Sequence, residues 1–219
     1  MGANAAVLHD IRHGYGDVEV LHGIDLDLPA GQLVALLGPS GSGKTTLLAI
    51  AGGLLTPTAG VVQIKESPLY VNGKVNRKAA SDTAYVLQAS ALIGFLTVMD
   101  NLLVRDITAG RRTTDADRER AEELLEAVDL KAKAHRYPGQ LSGGERQRAA
   151  VAAALYTRAP VILADEPTAA LDRERGRAVM SLLAAHAHER GAAVLVVTHD
   201  ERALDLADRV VRIEDGKLN

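Results

Sequence analysis

The stretch LVALLGPSGSGKTT, residues 33 to 46, joins five apolar residues without alternation to a glycine-rich turn closed by a lysine and two threonines. A run that is apolar at every position reads as a strand covered on both faces. The turn fits G-x-x-x-x-G-K-[ST] at Gly38, Gly43, Lys44 and Thr45. Between a buried strand and an apolar helix that pattern is a phosphate loop. Its glycines let backbone N–H groups wrap the phosphates, while Lys44 bridges the β and γ oxygens of a nucleoside triphosphate and Thr45 offers its hydroxyl to Mg²⁺. Pro39, Ser40, Gly41, Ser42 and Thr46 complete the loop.

Working outward, two more uninterrupted apolar runs follow, VILA (161 to 164) and AVLVV (193 to 197). Helical stretches separate them. One runs from about Arg173 to Arg190, with Ala178, Val179, Leu182, Leu183 and Ala187 on one side and Gly191 as its stop. Strands alternating with helices imply a parallel sheet with helices on both faces. Upstream, VEVLHGIDLDL (18 to 28) alternates Ile24, Leu26 and Leu28 against Asp25 and Asp27, the pattern of a half-solvated antiparallel strand. Residues 61 to 87 read as short strands with Asn72-Gly73 as a hairpin turn. The middle is helical: Thr97 to Asp100 has capping-box spacing, and Ala121, Leu124, Leu125 and Val128 recur on one face. We expect a single domain over 1–219, with a core from about 1–88 and 151–219 and a helical lobe at about 89–150.

Composition narrows the function. A chain of 219 residues, 47% apolar, buries one core, or one core and a smaller lobe. Its apolar runs fall far short of the roughly 18 to 20 residues that cross a bilayer, and its first residues lack the basic start and cleavage site of a secretion signal. With no cysteine, thiolate metal sites and thiol nucleophiles are excluded, and a reducing cytosol fits. The 25 basic residues against 28 acidic ones give a net charge of -3, too little positive field for nucleic acid as the main ligand. Any anion site is therefore local.

VILADEP supplies acids beside the loop: Asp165 leaves the end of a buried strand, where α/β sheets place ligand groups, and is set to hold Mg²⁺ through water. Glu166, pointing elsewhere, can take a proton from an attacking water. The alternative is a pair of acids capping the next helix. His199, in VVTHD, ends the last long buried strand on the same edge and can donate a hydrogen bond to a γ-phosphate. Gln88 ends YVLQ, with an amide oxygen for the metal or the water. LSGGERQRAAVAAAL, residues 141 to 155, sets a Ser and two glycines in front of a long helix, which makes a second anion cradle. One triphosphate needs only one such loop. Either Ser142 is an ordinary N-cap behind a structural turn, or this second cradle serves a phosphate held elsewhere.

Taken in order, Tyr15, GPSGSGKT, Gln88, LSGGERQR, VILADEP, the ALD of Ala170 to Asp172, and His199 resemble the nucleotide-binding subunit of an ATP-binding cassette (ABC) transporter over nearly the whole chain. The resemblance implies a P-loop NTPase fold: a RecA-like parallel sheet core, an antiparallel β subdomain and an inserted helical lobe. It implies ATP and Mg²⁺ as cofactors, with the metal held by Thr45, Gln88 and Asp165, and ATP hydrolysis carried by Glu166, His199 and Lys44. Two cassettes, identical or related, would pack head to tail. Leu141, Ser142, Gly143, Gly144 and Glu145 of one would face the nucleotide of the other, and Asp172 would reach across. Tyr15 would stack on adenine, although simple packing explains it equally well.

The output would be an integral membrane permease-like subunit, with the cassette peripheral on the cytoplasmic face. ASALIGFLTV (89 to 98) either receives a helix of that subunit or fills the lobe's core. The segments YPGQLSGGERQR and ILADEPT are most similar to cassettes of lipoprotein-release, macrolide-export and cell-division systems. KESPLYVNGKVNRKAASDT and Ala169 depart from the usual pattern, and with VVRIEDGKLN (210 to 219) closing the sequence no appended regulatory domain is expected. Two rival functions are a nucleotide-gated scaffold with slow hydrolysis and a soluble ATPase of the same superfamily acting on DNA or ribosomes.

Overall fold

The structure, a computed structural model, describes residues 3–89, 91–199 and 201–219. Two long strands, β1 (Asn4–Tyr15) and β2 (Val18–Pro29), form a hairpin, and β3 (Leu33–Leu37) leads into helix α1 (Lys44–Ala51). Then come β4 (Ala59–Ile64), the two-residue strands β5 (Ser67–Pro68), β6 (Tyr70–Val71) and β7 (Lys74–Val75), the short helix α2 (Arg77–Ala80), and β8 (Thr83–Val86). Helices α3 (Val98–Thr108), α4 (Asp115–Ala127) and α5 (Gly143–Tyr156) follow, then β9 (Val161–Asp165), α6 (Arg173–Arg190), β10 (Ala193–Val197), β11 (Arg209–Glu214) and β12 (Lys217–Leu218).

The larger sheet has the order β12-β11-β3-β10-β9-β8 and is parallel except for its β12 edge. Its central strands alternate between two cores, which is why they are apolar at every position. Val34, Leu36, Val161, Leu163, Leu195 and Val197 face α1 and the antiparallel sheet β2-β1-β4-β5. Leu33, Ile162, Ala164, Val194 and Val196 face α5 and α6. Each such side chain taken fully out of water contributes about 1.5–3 kcal/mol. A third core joins α3, α4 and α5 through Leu102, Leu103, Ala121, Leu125, Ala149 and Tyr156. Here Thr97 and Thr114 cap α3 and α4 by accepting backbone N–H groups from Asp100 and Asp117.

The structure differs from the sequence expectation in four places. Alternation gives no strand before Val18, yet β1 is one of the two longest strands. Its buried positions run Ala6 and Leu8, then Ile11 and His13, because a bulge at Asp10 (φ 45°) shifts the period by one residue. Within 61–87, Asn72 (φ 52°) and Gly73 (φ 71°) do make the β6–β7 turn, but Asn76 caps a short helix rather than another strand. On α6, Ala178 is exposed, and Met180 and Ala184 join Val179, Leu183 and Ala187 in the core. Strand β8 stops at Val86, which leaves Gln88 exposed in the following turn.

A buried carboxylate ties the helices of the third core. Asp106 on α3 accepts from the Tyr156 hydroxyl on α5 at 2.6 Å and from Arg111 Nη2 at 2.5 Å. Burial pushes the Tyr156 phenol well above its ordinary value, and the neighbouring carboxylate adds to the shift. Asp106→Ala strands that hydroxyl, so the unfolding free energy measured in urea is expected to fall by about 1–3 kcal/mol, while Arg111→Ala, removing the exposed partner, costs less than about 1 kcal/mol.

Candidate functional site

Parallel pairing lines up the ends of four strands. Val197 on β10 is opposite both Leu36 on β3 and Asp165 on β9, and Val86 on β8 is opposite Ala164. The chain therefore leaves the sheet at one level four times, toward Gly38, Gln88, Glu166 and His199. At the first exit, Gly43 has φ 100°, and a Cβ there would stand 2.6 Å from Leu21 Cδ2, so only glycine turns the loop into α1 against β2. Lys44 Nζ donates to the carbonyls of Gly38 (2.8 Å) and Pro39 (2.6 Å), which folds the ammonium over the loop. Gly41, Gly43, Lys44, Thr45 and Thr46 line an open cavity with Val20. Pro39 and Ser40 are exposed at the loop's crest. Ser42 is buried, and its hydroxyl has no partner among the described residues.

Asp165 is buried at the end of β9, near the Thr45 hydroxyl. Burial pushes its carboxyl above the ordinary value and the Glu166 charge adds to this, while Thr45 and the Lys44 ammonium pull the other way. A hydroxyl and a carboxylate set near each other are the hard oxygen donors that Mg²⁺ takes.

Glu166 does point away from Asp165, for a backbone reason. Its φ of 47° is left-handed, and its N–H donates to Val197 O at 2.9 Å, so the chain swings across β10 instead of extending β9. That swing brings Glu166 Oε1 within 2.8 Å of His199 Nδ1, and Thr198 Oγ1 donates to Oε2 at 3.4 Å. The carboxylate is largely covered while the imidazole is exposed. Neither acid caps the next helix: α6 starts seven residues later, with Asp172 as its N-cap.

The second cradle stands apart. Ser142 caps α5 in a reciprocal box, accepting the Glu145 N–H at 3.3 Å while Glu145 Oε2 accepts the Ser142 N–H at 2.9 Å. Ser142, Gly144, Glu145 and Arg148 line a cavity with Ala170, Leu171, Asp172 and Arg175, and none of these residues also lines the phosphate-loop cavity. Leu141 is buried in the third core, whereas Gly143 is exposed. Gly144 packs α5 against the loop after Glu166: a Cβ there would lie 2.9 Å from Ala170 O and 3.1 Å from Leu171 Cδ2.

The model of the family described as ABC transporter matches residues 21–169. The chain belongs to that family. It is an ATP-binding, ATP-hydrolysing subunit of an ABC transporter, which dimerises and works with a membrane permease subunit. Among curated relatives, a protein named putative hemin import ATP-binding protein HrtA, from Staphylococcus aureus strain MRSA252, is 39% identical over 98% of this chain and 99% of its own length. The HrtA of strain Newman matches to the same extent. Among solved structures, the bacterial ABC transporter cassette MJ0796, a dimer, superposes with a TM-score of 0.88 at 35% identity, covering 98% of this chain and 96% of that one. A dimer of the same cassette in a post-hydrolysis state with ADP and Pi gives a TM-score of 0.87 at 34% identity and the same coverage. In this ABC cassette no helix is long and apolar enough to cross a membrane, among the described residues.

Tyr15 ends β1 at the hairpin tip, half-exposed, with its ring edge-to-face against His13 at 4.9 Å between centroids. Asp172 is engaged within its own helix: Oδ1 accepts the Arg175 N–H at 2.9 Å and Oδ2 the Arg175 guanidinium at 2.5 Å. Sequence reasoning missed Arg175, although a basic residue three positions after an acidic N-cap is a usable signal. It also missed Lys133, whose Nζ lies 2.5 Å from Glu145 Oε1, and Arg148, buried in the cavity wall with its Nε unpartnered among the described residues. Lys133 and Glu145 are twelve positions apart, and no local spacing marks the pair.

The two glycines of the cradle are predicted to differ. Among the described residues, and apart from its chain neighbours and its own helix backbone, the only atom close to a Cβ at Gly143 is Arg146 Nη2 at 4.0 Å. Gly143→Ala is expected to leave thermal stability unchanged or slightly raised, whereas Gly144→Ala, overpacking the Ala170 loop, lowers it by about 1–3 kcal/mol. Paired melting curves check this.

Proposed function

We propose that two copies of this chain close head to tail around two ATP, each phosphate loop holding one nucleotide and each Ser142 cradle covering the nucleotide of its partner. The observation behind this is the separation of the two cradles: one chain carries two anion sites on two different cavities. Both cavities are open to solvent, so a second chain could cover each, and twofold symmetry would make both whole at once.

The residues fit Mg²⁺, since Thr45 and Asp165 place two oxygen donors side by side and Ser42 keeps a buried, unpartnered hydroxyl in the same loop. We assign Thr45, Asp165 and Gln88 to the ion, which when bound neutralises charge on the β and γ oxygens. The support for Gln88 is that β8, which it follows, ends with Val86 paired to Ala164, the neighbour of Asp165. Lys44 turns its ammonium from the loop carbonyls to the phosphates. Glu166, aimed by His199 and Thr198, accepts a proton from water as the water oxygen bonds to the γ-phosphorus and the bond to the ADP oxygen breaks. His199 and the partner's signature segment stabilise the charge on the transferred phosphoryl group. Tyr15 stacks on adenine from the hairpin tip, and Asp172 exchanges its hold on Arg175 for a contact across the interface. The cassette works at the cytoplasmic face. The hemin-import name of its Staphylococcus relatives makes hemin the first cargo to test on the complete transporter.

Glu166→Gln is expected to slow ATP turnover by about 10²–10⁴-fold with ATP binding intact, and to trap an Mg-ATP-dependent dimer visible by light scattering. A variant that stays monomeric under those conditions sinks the head-to-tail reading.

The apolar stretch at 91–98 divides into two parts, with Ser90 outside the described residues. Leu92 packs against the third core, whereas Phe95 is 82% exposed. We assign Phe95 to the permease contact. Phe95→Asp is expected to abolish co-purification with the membrane subunit while ATP binding and the melting temperature persist. Retained co-purification overturns the assignment of Phe95 to the permease contact.

A further inference from the structure

The signature cradle contains an electrostatic conflict. It is read as receiving a triphosphate, yet its first helical turn carries the Glu145 carboxylate, bonded directly to Ser142. An unpaired carboxylate there repels the incoming phosphate. The Ser142 hydroxyl accepts the Glu145 N–H at 3.3 Å, so a charge left on that side chain acts on the hydroxyl at close range.

Lys133 resolves this. Its ammonium lies 2.5 Å from Glu145 Oε1, leaving Oε2 to the Ser142 N–H. The lysine is planted on rigid backbone. It ends a 3-10 turn, Lys131–Lys133, between the buried Leu130 and Ala134. Its N–H donates to Leu130 O, its carbonyl accepts from the Arg136 N–H, and Ala134 O accepts from the first turn of α3 at Met99. On the wall of this cavity both carboxylates then have a basic partner, Glu145 with Lys133 and Asp172 with Arg175, and Arg148 supplies a surplus positive charge. Without Lys133 that surplus is cancelled.

We propose that Lys133 is a positioning residue of the trans nucleotide site: it neutralises and anchors Glu145, so that the Ser142 hydroxyl and the α5 N-terminus are free to receive the partner's γ-phosphate. The proposal rests on the head-to-tail reading above and adds a residue outside every nucleotide-binding motif of the chain.

The test is a double-mutant cycle in the Glu166→Gln background, reading by light scattering the ATP concentration at which half the protein is dimeric, with Mg²⁺ present. Lys133→Met, with Lys133→Gln alongside it, is expected to raise that concentration about 10-fold, because each dimer contains two cradles, and the penalty shrinks at about 0.5 M KCl. Lys133→Arg restores the parent value. With Glu145→Gln also present there is no charge to neutralise, and Lys133→Met changes the midpoint by less than about 2-fold. A merely structural lysine would give equal penalties with Glu145 and with Gln, and that result overturns the proposal, as does a Lys133→Met protein indistinguishable from its parent. Failure of the parent itself to dimerise instead overturns the head-to-tail reading.

Discussion

One row of the parallel sheet decides where the chemistry sits. Because Leu36, Val197 and Asp165 are paired side by side, the chain exits toward the phosphate loop, toward His199 and toward Glu166 at the same height. A slip of one residue in any of these strands would turn its apolar side chains into the opposite core and carry its functional residue away from the others. Apolar side chains fill both faces of these strands, so the register is held by burial on two sides. The site inherits its precision from that packing rather than from contacts among the polar residues themselves.

The second consequence is mechanical. Glu166 is left-handed, and the chain after it runs through Ala170 and Leu171 directly against Gly144 before Asp172 opens α6. The carboxylate proposed as base and the wall of the signature cavity therefore belong to one continuous segment. In the proposed head-to-tail dimer, a change at the γ-phosphate held by this chain would have a short covalent path to the cradle facing the other nucleotide. The third core keeps the cradle end of α5 fixed relative to α3 and α4, so that any displacement is passed on to the helical lobe as a body.

Electrostatics in this chain is local rather than global. With a net charge of -3 the molecule has no broad positive field, so the two sites proposed to take phosphate rely on nearby groups. The first uses Lys44 and loop backbone. The second balances its carboxylates one by one, Glu145 against Lys133 and Asp172 against Arg175, and keeps Arg148 in reserve. Exposed ion pairs contribute little to folding stability. Their value in the proposed dimer is in setting the sign of the surface that faces the partner's triphosphate.

The sequence by itself determined the parallel core, the phosphate loop, the acids after VILA and the capped helices, because each rests on short-range patterns: uninterrupted apolar runs, glycine spacing and cap residues. It missed β1, whose period is broken by a bulge that costs nothing in burial but hides the alternation. It also assigned Ala178 to the buried face of α6, since helical periodicity fixes a stripe only to within one residue, and the packing partners choose its centre. Tertiary structure alone decided that Glu166 pairs with His199, that Gly144 is pressed against Ala170, and that Lys133 meets Glu145. Those contacts join segments whose separation in sequence carries no periodic signal. They exist because the sheet register and the helical core bring the segments together, and neither is written in any one of them.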